Sequence, residues 1–189
     1  MARRGGLLIF PTDTVYGLAC NAFDPAAVKK VYALKGRSYT KALPLLVANA
    51  GMTALVAKTV QPQAKWLMDE FWPGPLTLVL EVAPLLMHAT RGKSTIAVRV
   101  PKYPIFQKLL GSIGLPLAVT SANKSDRGSI AKGADVVRLF DGKVDVIIEV
   151  GSCSGGKESS VVDATAYPFS ILREGALSKA LLEKKLGLA

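Results

Sequence analysis

Short apolar runs ending at Pro or Gly give way repeatedly to segments with helical spacing, and no other feature constrains this chain so strongly. Leu7 to Phe10 reads as a strand stopped by Pro11. Asp24 then offers an N-cap with Pro25 in the first helical position. Val28, Val31, Tyr32 and Lys35 follow at helical spacing, and Gly36 supplies a stop. Leu43 to Val47 is a further apolar strand, and residues 62–71 form a helix halted before Pro73. Leu76 to Val82 and Thr95 to Val100 are strand-like, with β-branched residues and partial alternation. Pro104 opens another helix, with Gly111 at its end. Leu117 to Thr120, Asp145 to Val150, Val161 to Ala164 and Ser170 to Leu172 are the remaining strands, before a closing helix marked by Leu177, Leu181 and Leu182. Strands interleaved with helices predict an α/β domain on a twisted mixed sheet, with the polar segments at strand ends, where function collects.

Composition narrows the class. Half of the 189 residues are hydrophobic, which supplies a core and argues against disorder. No apolar stretch approaches the roughly 20 residues a spanning helix needs, so no membrane partner is expected. Met1 to Phe10 begins like a secretory leader, but Pro11, Thr12 and Asp13 end its apolar run too early. Against 14 acidic residues stand 24 basic ones, a net charge of +10. That surplus suits a nucleic acid or a phosphate-rich small molecule, while the scatter of the lysines also fits plain solubility charge. Cys20 and Cys153 make no disulfide framework and no CxxC zinc half-site, which points to a reducing, intracellular compartment. The lone His88 excludes most histidine metal sites and argues against a Ser-His-Asp triad.

Four polar segments carry the chemistry. Thr12-Asp13-Thr14 follows the first strand and is either an Asx turn or a set of hydroxyls lining a small-molecule site. Lys35, Arg37 and Lys41 cluster after a helix, as a solvated helix end or as a phosphate clamp. Thr120 to Asn123 follows a buried strand and suits a turn or phosphate oxygens equally. Gly151 to Ser160, rich in Gly and Ser, reads as a flexible loop or a lid. Neither a Walker A string nor a strand followed by G-x-G-x-x-G occurs. Arg99 interrupts an apolar strand and Arg173 ends another, so each needs an acidic partner or a ligand. His88 reads as a surface residue, and both cysteines as buried small hydrophobes.

Taken in order, PTDTVYGL, KGRS with Lys41, WPGPLT, AVRVP, TSAN, SSVVD and ILREG resemble the YrdC-like family from about Leu7 to Gly175. The resemblance implies a twisted mixed sheet flanked by helices around a basic concave cleft. It also implies synthesis of L-threonylcarbamoyl-adenylate and pyrophosphate from L-threonine, bicarbonate (or CO2) and ATP. Mg²⁺ is the usual metal, held by phosphates and water rather than by side chains. A partner transferase complex then moves the threonylcarbamoyl group to the adenosine beside the anticodon of tRNAs reading codons that begin with A. By motif, Thr12, Arg99 and Ser159 resemble the threonine contacts. Lys35, Lys41, Thr95, Ser121, Asn123, Ser129 and Arg173 resemble the nucleotide contacts, with Lys35 and Arg37 as the catalytic clamp. The implied location is cytoplasmic, with an organellar pool as a variant.

Some positions depart from the family pattern. Ala42 stands where relatives carry proline, Ser160 replaces the threonine of S-T-V-V-D, and Lys124-Ser125-Asp126 replaces x-Ser-Gly. Only six residues precede Leu7, where relatives have a helix, so a trimmed start or a less covered first sheet edge is expected. Residues 1–189 are expected to form a single YrdC-like domain without the additional C-terminal domain of the longer branch. Two other readings compete. One is a non-catalytic RNA-binding module using the same basic cleft, although no aromatic-basic interleaving of the RRM type occurs. The other is a carbamoyl-adenylate domain like that of hydrogenase-maturation proteins, which normally sits in a longer chain with zinc-finger-like cysteines.

Overall fold

In the computed structural model, residues 1–36, 42–123, 128, 130–153 and 157–187 are described. The strands are β1 (Leu8–Pro11), β2 (Tyr16–Asn21), β3 (Leu45–Leu46), β4 (Leu76–Glu81), β5 (Thr95–Arg99), β6 (Leu117–Ser121), β7 (Val146–Ile147), β8 (Ser160–Asp163) and β9 (Ser170–Arg173). The helices are α1 (Pro25–Lys35), α2 (Pro62–Phe71), α3 (Pro104–Ile113), α4 (Gly133–Phe140) and α5 (Lys179–Leu186). Among the described residues these nine strands join one mixed sheet in the order β7-β1-β2-β6-β3-β5-β4-β8-β9.

Period-two burial sorts the strand residues between two cores. Ile9, Leu18, Cys20, Leu78, Ile96 and Val98 face one side, where α1, α2, α4 and α5 bring Val31, Leu67, Phe140 and Leu182. Leu8, Phe10, Ala19, Leu117 and Val119 face the other, against Phe106 and Leu110 of α3. Phe10 and Phe106 stack with centroids 3.7 Å apart, an aromatic pairing worth about 0.5–1.5 kcal/mol beyond its buried area. α3 packs over β1, β2, β3 and β6. The second face of β5, β4, β8 and β9 carries Arg99, Thr77, Val161 and Arg173 instead of a helix-covered apolar row.

Local chemistry explains the elements that match expectation. The Asp24 carboxylate accepts from the N–H groups of Ala26 and Ala27, Pro25 starts α1, and Gly36 closes it at φ 62°. Other expectations need correction. α3 runs through Gly111 and stops at Gly114, whose φ of 65° makes the left-handed turn that ends a helix. Asp145 to Val150 contributes only the two-residue β7: Val146 and Ile147 pair in register with Leu8 and Ile9, and the flanking N–H groups of Asp145 and Ile148 donate to the carbonyls of Leu7 and Ile9. Likewise Leu43, Leu45, Leu46 and Val47 are buried, but only Leu45 and Leu46 form β3. β1 is interior to the sheet rather than an exposed edge, with β7 on one side and β2 on the other. Among the described residues no helix is long and apolar enough to cross a membrane.

Candidate active site

The uncovered half of the sheet, together with the turn after β1, encloses a cavity of about 390 Å³, within the range of small-molecule sites. Thr12, Thr77, Arg99, Ser121, Ser159 and Arg173 line it. They come from six separate segments and meet because each stands at or next to a strand end.

Arg99 is the last residue of β5 and is only 8% exposed. Its Nη2 donates to Asp13 Oδ2 at 2.5 Å, and its Nε donates to the carbonyl of Gly74 at 2.9 Å. The guanidinium thus fastens the turn after β1 and the WPGP loop to the β5 end. Burial pulls its pKa below the ordinary arginine value, with Asp13 opposing that shift and the charge of Arg173 adding to it. Removing one partner of such a buried pair leaves an uncompensated charge, at a cost of about 3–5 kcal/mol. Beside it, Thr12 Oγ1 donates to the Val15 carbonyl at 2.7 Å and accepts from the N–H groups of Thr14 and Val15. Among the described residues the turn is therefore closed by the Thr12 hydroxyl rather than by the Asp13 carboxylate of an Asx turn, and the same hydroxyl-bearing residue lines the cavity.

On the other side lies Lys35, at the C-terminus of α1 and 5% exposed. Its ammonium reaches the Ser121 carbonyl at 2.6 Å and Asn123 Oδ1 at 2.7 Å, with Ser121 Oγ and the Asn123 carbonyl each at 3.2 Å. Ser121 Oγ also donates to Asn123 Oδ1 at 2.6 Å. Lys35 therefore holds the TSAN turn in shape from behind, while Ser121 itself lines the cavity.

At the far end, Ser159 Oγ and Thr77 Oγ1 share a buried hydrogen bond of 2.7 Å. Arg173 donates from Nη2 to the Ser159 carbonyl at 2.8 Å and from Nη1 to Glu158 Oε2 at 2.5 Å, so this cation is paired with a carboxylate. Ser160, fully buried, turns its hydroxyl the other way. It donates to the Leu177 carbonyl and accepts from the N–H groups of Gly175 and Leu177. The serine that stands in place of threonine keeps this structural role. Gly175 is obligatory by contact, since a Cβ there would lie 2.3 Å from the Glu158 carbonyl oxygen and 2.5 Å from the Ser159 carbonyl carbon.

Of the residues expected from sequence, Thr12, Arg99, Ser121, Ser159 and Arg173 line the cavity, with Lys35 and Asn123 directly behind Ser121. Thr95 does not line it: it sits opposite Glu81, on the same strand face as Arg99 but about 13 Å away along β5. Arg37, Lys41 and Ser129 lie outside the described residues, as do Lys124 to Asp126. Ala42 does line the cavity. The start of the Gly/Ser-rich segment is anchored, because Tyr16 donates to the Gly151 carbonyl at 2.9 Å and Ser152 bridges to Lys132; residues 154–156 lie outside the described set. His88 is half-buried, with Nε2 2.9 Å from the Ala22 carbonyl, away from the cavity. Both cysteines are buried, and burial pushes the Cys20 thiol up to about 12 and raises that of Cys153. Sequence reading missed Asp13, Thr77 and Tyr16 as site residues. Their signals were the TDT string, the Thr of WPGPLT and the Tyr before Gly17.

A cavity bordered by two arginines and ringed with hydroxyls, at the strand ends of a mixed α/β sheet, has the chemistry to hold a small anionic group. The chain belongs to the Sua5/YciO/YrdC family, whose model, described as telomere recombination, matches residues 1–175. A threonylcarbamoyl-AMP synthase of Pyrococcus abyssi is 41% identical over 188 residues, covering 98% of this chain and 55% of its own length. The Bacillus subtilis threonylcarbamoyl-AMP synthase is 36% identical over 189 residues, covering 99% of this chain and 55% of its own. The crystal structure of P. abyssi Sua5 complexed with L-threonine superposes with a TM-score of 0.93 at 40% identity, over 98% of this chain and 55% of that one. The chain thus spans about half the length of these relatives.

Proposed function

We propose that this chain forms L-threonylcarbamoyl-adenylate, the activity named for its relatives, and that the cavity between Arg99 and Arg173 is where it does so. The carrying observation is the convergence there of a buried arginine, a second arginine and the hydroxyls of Thr12, Thr77 and Ser159. A carboxylate and hydroxyl of an amino acid suit that set, and so do phosphate oxygens. The relative complexed with L-threonine supports the first choice.

In this reading Arg99, Thr12 and Ser159 hold threonine, while Arg173, Ser121 and the TSAN turn braced by Lys35 face the nucleotide, together with Arg37, Lys41 and Ser129. Thr95 joins them only if the nucleotide extends along β5. The amine of threonine gives up a proton and adds to CO2. The resulting carbamate oxygen forms a bond to the α-phosphorus of ATP, and the bond to pyrophosphate breaks. No residue of the cavity is needed as a covalent nucleophile. Alignment of the reactants and fixed positive charge against the phosphates supply the rate. Among the described residues no group of three or more His, Cys, Asp or Glu side chains could hold a metal ion. In this reading Mg²⁺ would be held by the phosphate oxygens of the nucleotide and by water, and no step is assigned to the protein through it. A cytoplasmic location and hand-over of the adenylate to a tRNA-modifying transferase complete the reading.

The test is pyrophosphate release from ATP and bicarbonate with and without L-threonine, with serine as control. Threonine-dependent release and a threonylcarbamoyl-adenylate mass peak are expected. Folded protein that releases nothing, but binds RNA with steep salt dependence, would replace this reading with the RNA-binding one.

A further inference from the structure

We infer that Asp13 is a positioning residue that aims Arg99 at the carboxylate of the amino-acid substrate. The inference rests on the proposed activity and names a residue that it does not use. Arg99 carries five N–H groups in a rigid planar fork. One edge of that fork, Nε with the neighbouring Nη2, is taken by the Gly74 carbonyl at 2.9 Å and by Asp13 Oδ2 at 2.5 Å. Among the described residues Nη1 has no hydrogen-bond partner. The opposite edge, Nη1 with the second Nη2 proton, therefore remains for a bidentate carboxylate. Arg99 lines the cavity and Asp13 does not, so Asp13 grips the guanidinium from the protein side. With side chains 9% and 17% exposed, the pair is shielded from solvent and its geometry is fixed by the fold.

Electrostatics alone predicts the opposite consequence, and that makes the inference testable. An acid beside Arg99 lowers the net positive potential felt by an incoming carboxylate. If Asp13 only neutralises or occupies Arg99, removing it tightens substrate binding or leaves it unchanged. If Asp13 aims Arg99, removing it weakens binding, because the freed guanidinium turns away from the productive edge.

The experiment compares wild type with Asp13→Asn, which keeps the shape and one acceptor, and with Asp13→Ala. Steady-state pyrophosphate release gives KM for threonine and ATP separately, and calorimetry gives threonine affinity directly. The expected result is a rise of about tenfold in threonine KM and Kd for Asp13→Asn, more for Asp13→Ala, with ATP KM within about twofold. Threonine binding that is unchanged or tighter in folded Asp13→Asn overturns the inference, as does an equal rise in both KM values. Wild type that neither turns over nor binds threonine sinks the activity instead. In that case the side-chain ¹⁵Nε–H signal of Arg99 decides the positioning: protected from exchange in wild type and lost in Asp13→Asn supports it, and the same in both proteins overturns it.

Discussion

Lys35→Met separates a lysine that contacts substrate from one that builds the site. The substitution keeps the apolar stem and removes the ammonium. Ser121 and Asn123 each present a main-chain oxygen to that ammonium, at 2.6 and 3.2 Å, and the Asn123 side chain adds a third at 2.7 Å. Asn123 Oδ1 keeps the Ser121 hydroxyl as a donor, so the loss falls mainly on the two carbonyls. Each buried acceptor left without its donor costs about 1–3 kcal/mol, offset in part by the burial cost of the ammonium that is no longer incurred. A net loss of about 3 kcal/mol is the consequence, or roughly 6–12 °C in Tm for a domain of this size. Differential scanning calorimetry reads the shift, and pyrophosphate release is expected to be abolished in the same variant. A Lys35→Met protein that melts within about 2 °C of wild type would show that these contacts do not hold the TSAN turn. Lys35 would then be a ligand contact with no structural duty.

Gly175→Ala places a Cβ against the Glu158 and Ser159 backbone, so it should destabilise by about 1–3 kcal/mol in denaturant unfolding and weaken threonine binding through Ser159. Wild-type values for both would refute the contact. With the Cys20 thiol pushed up to about 12 and Cys153 raised, both should resist iodoacetamide at pH 8 while the protein is folded and react once it is denatured. Because the unfolded thiol ionises near its ordinary value, the stability tied to Cys20 is complete below about pH 8.5 and declines as pH rises toward 12. Rapid native alkylation at pH 8 would contradict the buried placement.

Much of the fold was legible where a single residue type sets the backbone. Asp24, Pro25 and Gly36 specify α1 by capping chemistry, and Pro62 with the stop before Pro73 delimits α2. β2 was not legible. Tyr16 to Cys20 are buried on both sides of the strand, which erases the alternation, and Gly17, Ala19 and Cys20 are not characteristic strand formers. α4 begins at a glycine behind Lys132, with no side-chain cap to announce it. Gly111 and Gly114 look alike in sequence, and only the left-handed φ of Gly114 separates the interior glycine from the stop.

The site was half legible for a related reason. Arg99 is charged where the pattern asks for an apolar residue, and that contradiction can be read along the chain, whereas Thr12 was legible only as part of a polar turn and Ser159 only through the family motif. What such residues touch cannot be read that way. Asp13 and Arg99 are paired across more than eighty positions, as are Thr77 and Ser159. Lys35 shows the limit from the other side: its sequence neighbourhood suggests a cation open to ligand, and its ammonium faces the protein's own carbonyls.

The strand order bears on how the chain is made. β2 receives β1 at once, but its other edge waits for β6, where Leu18 meets Thr120 roughly a hundred residues later. β1 waits longer still for β7, and β4 for β8. During synthesis, which runs at about 5–20 residues per second, the first hairpin therefore spends several seconds outside the ribosome with apolar edges uncovered. Nascent chains of this topology should lean on holdase chaperones until residue 121 has emerged, and a truncation before β6 should aggregate rather than persist as a smaller folded unit.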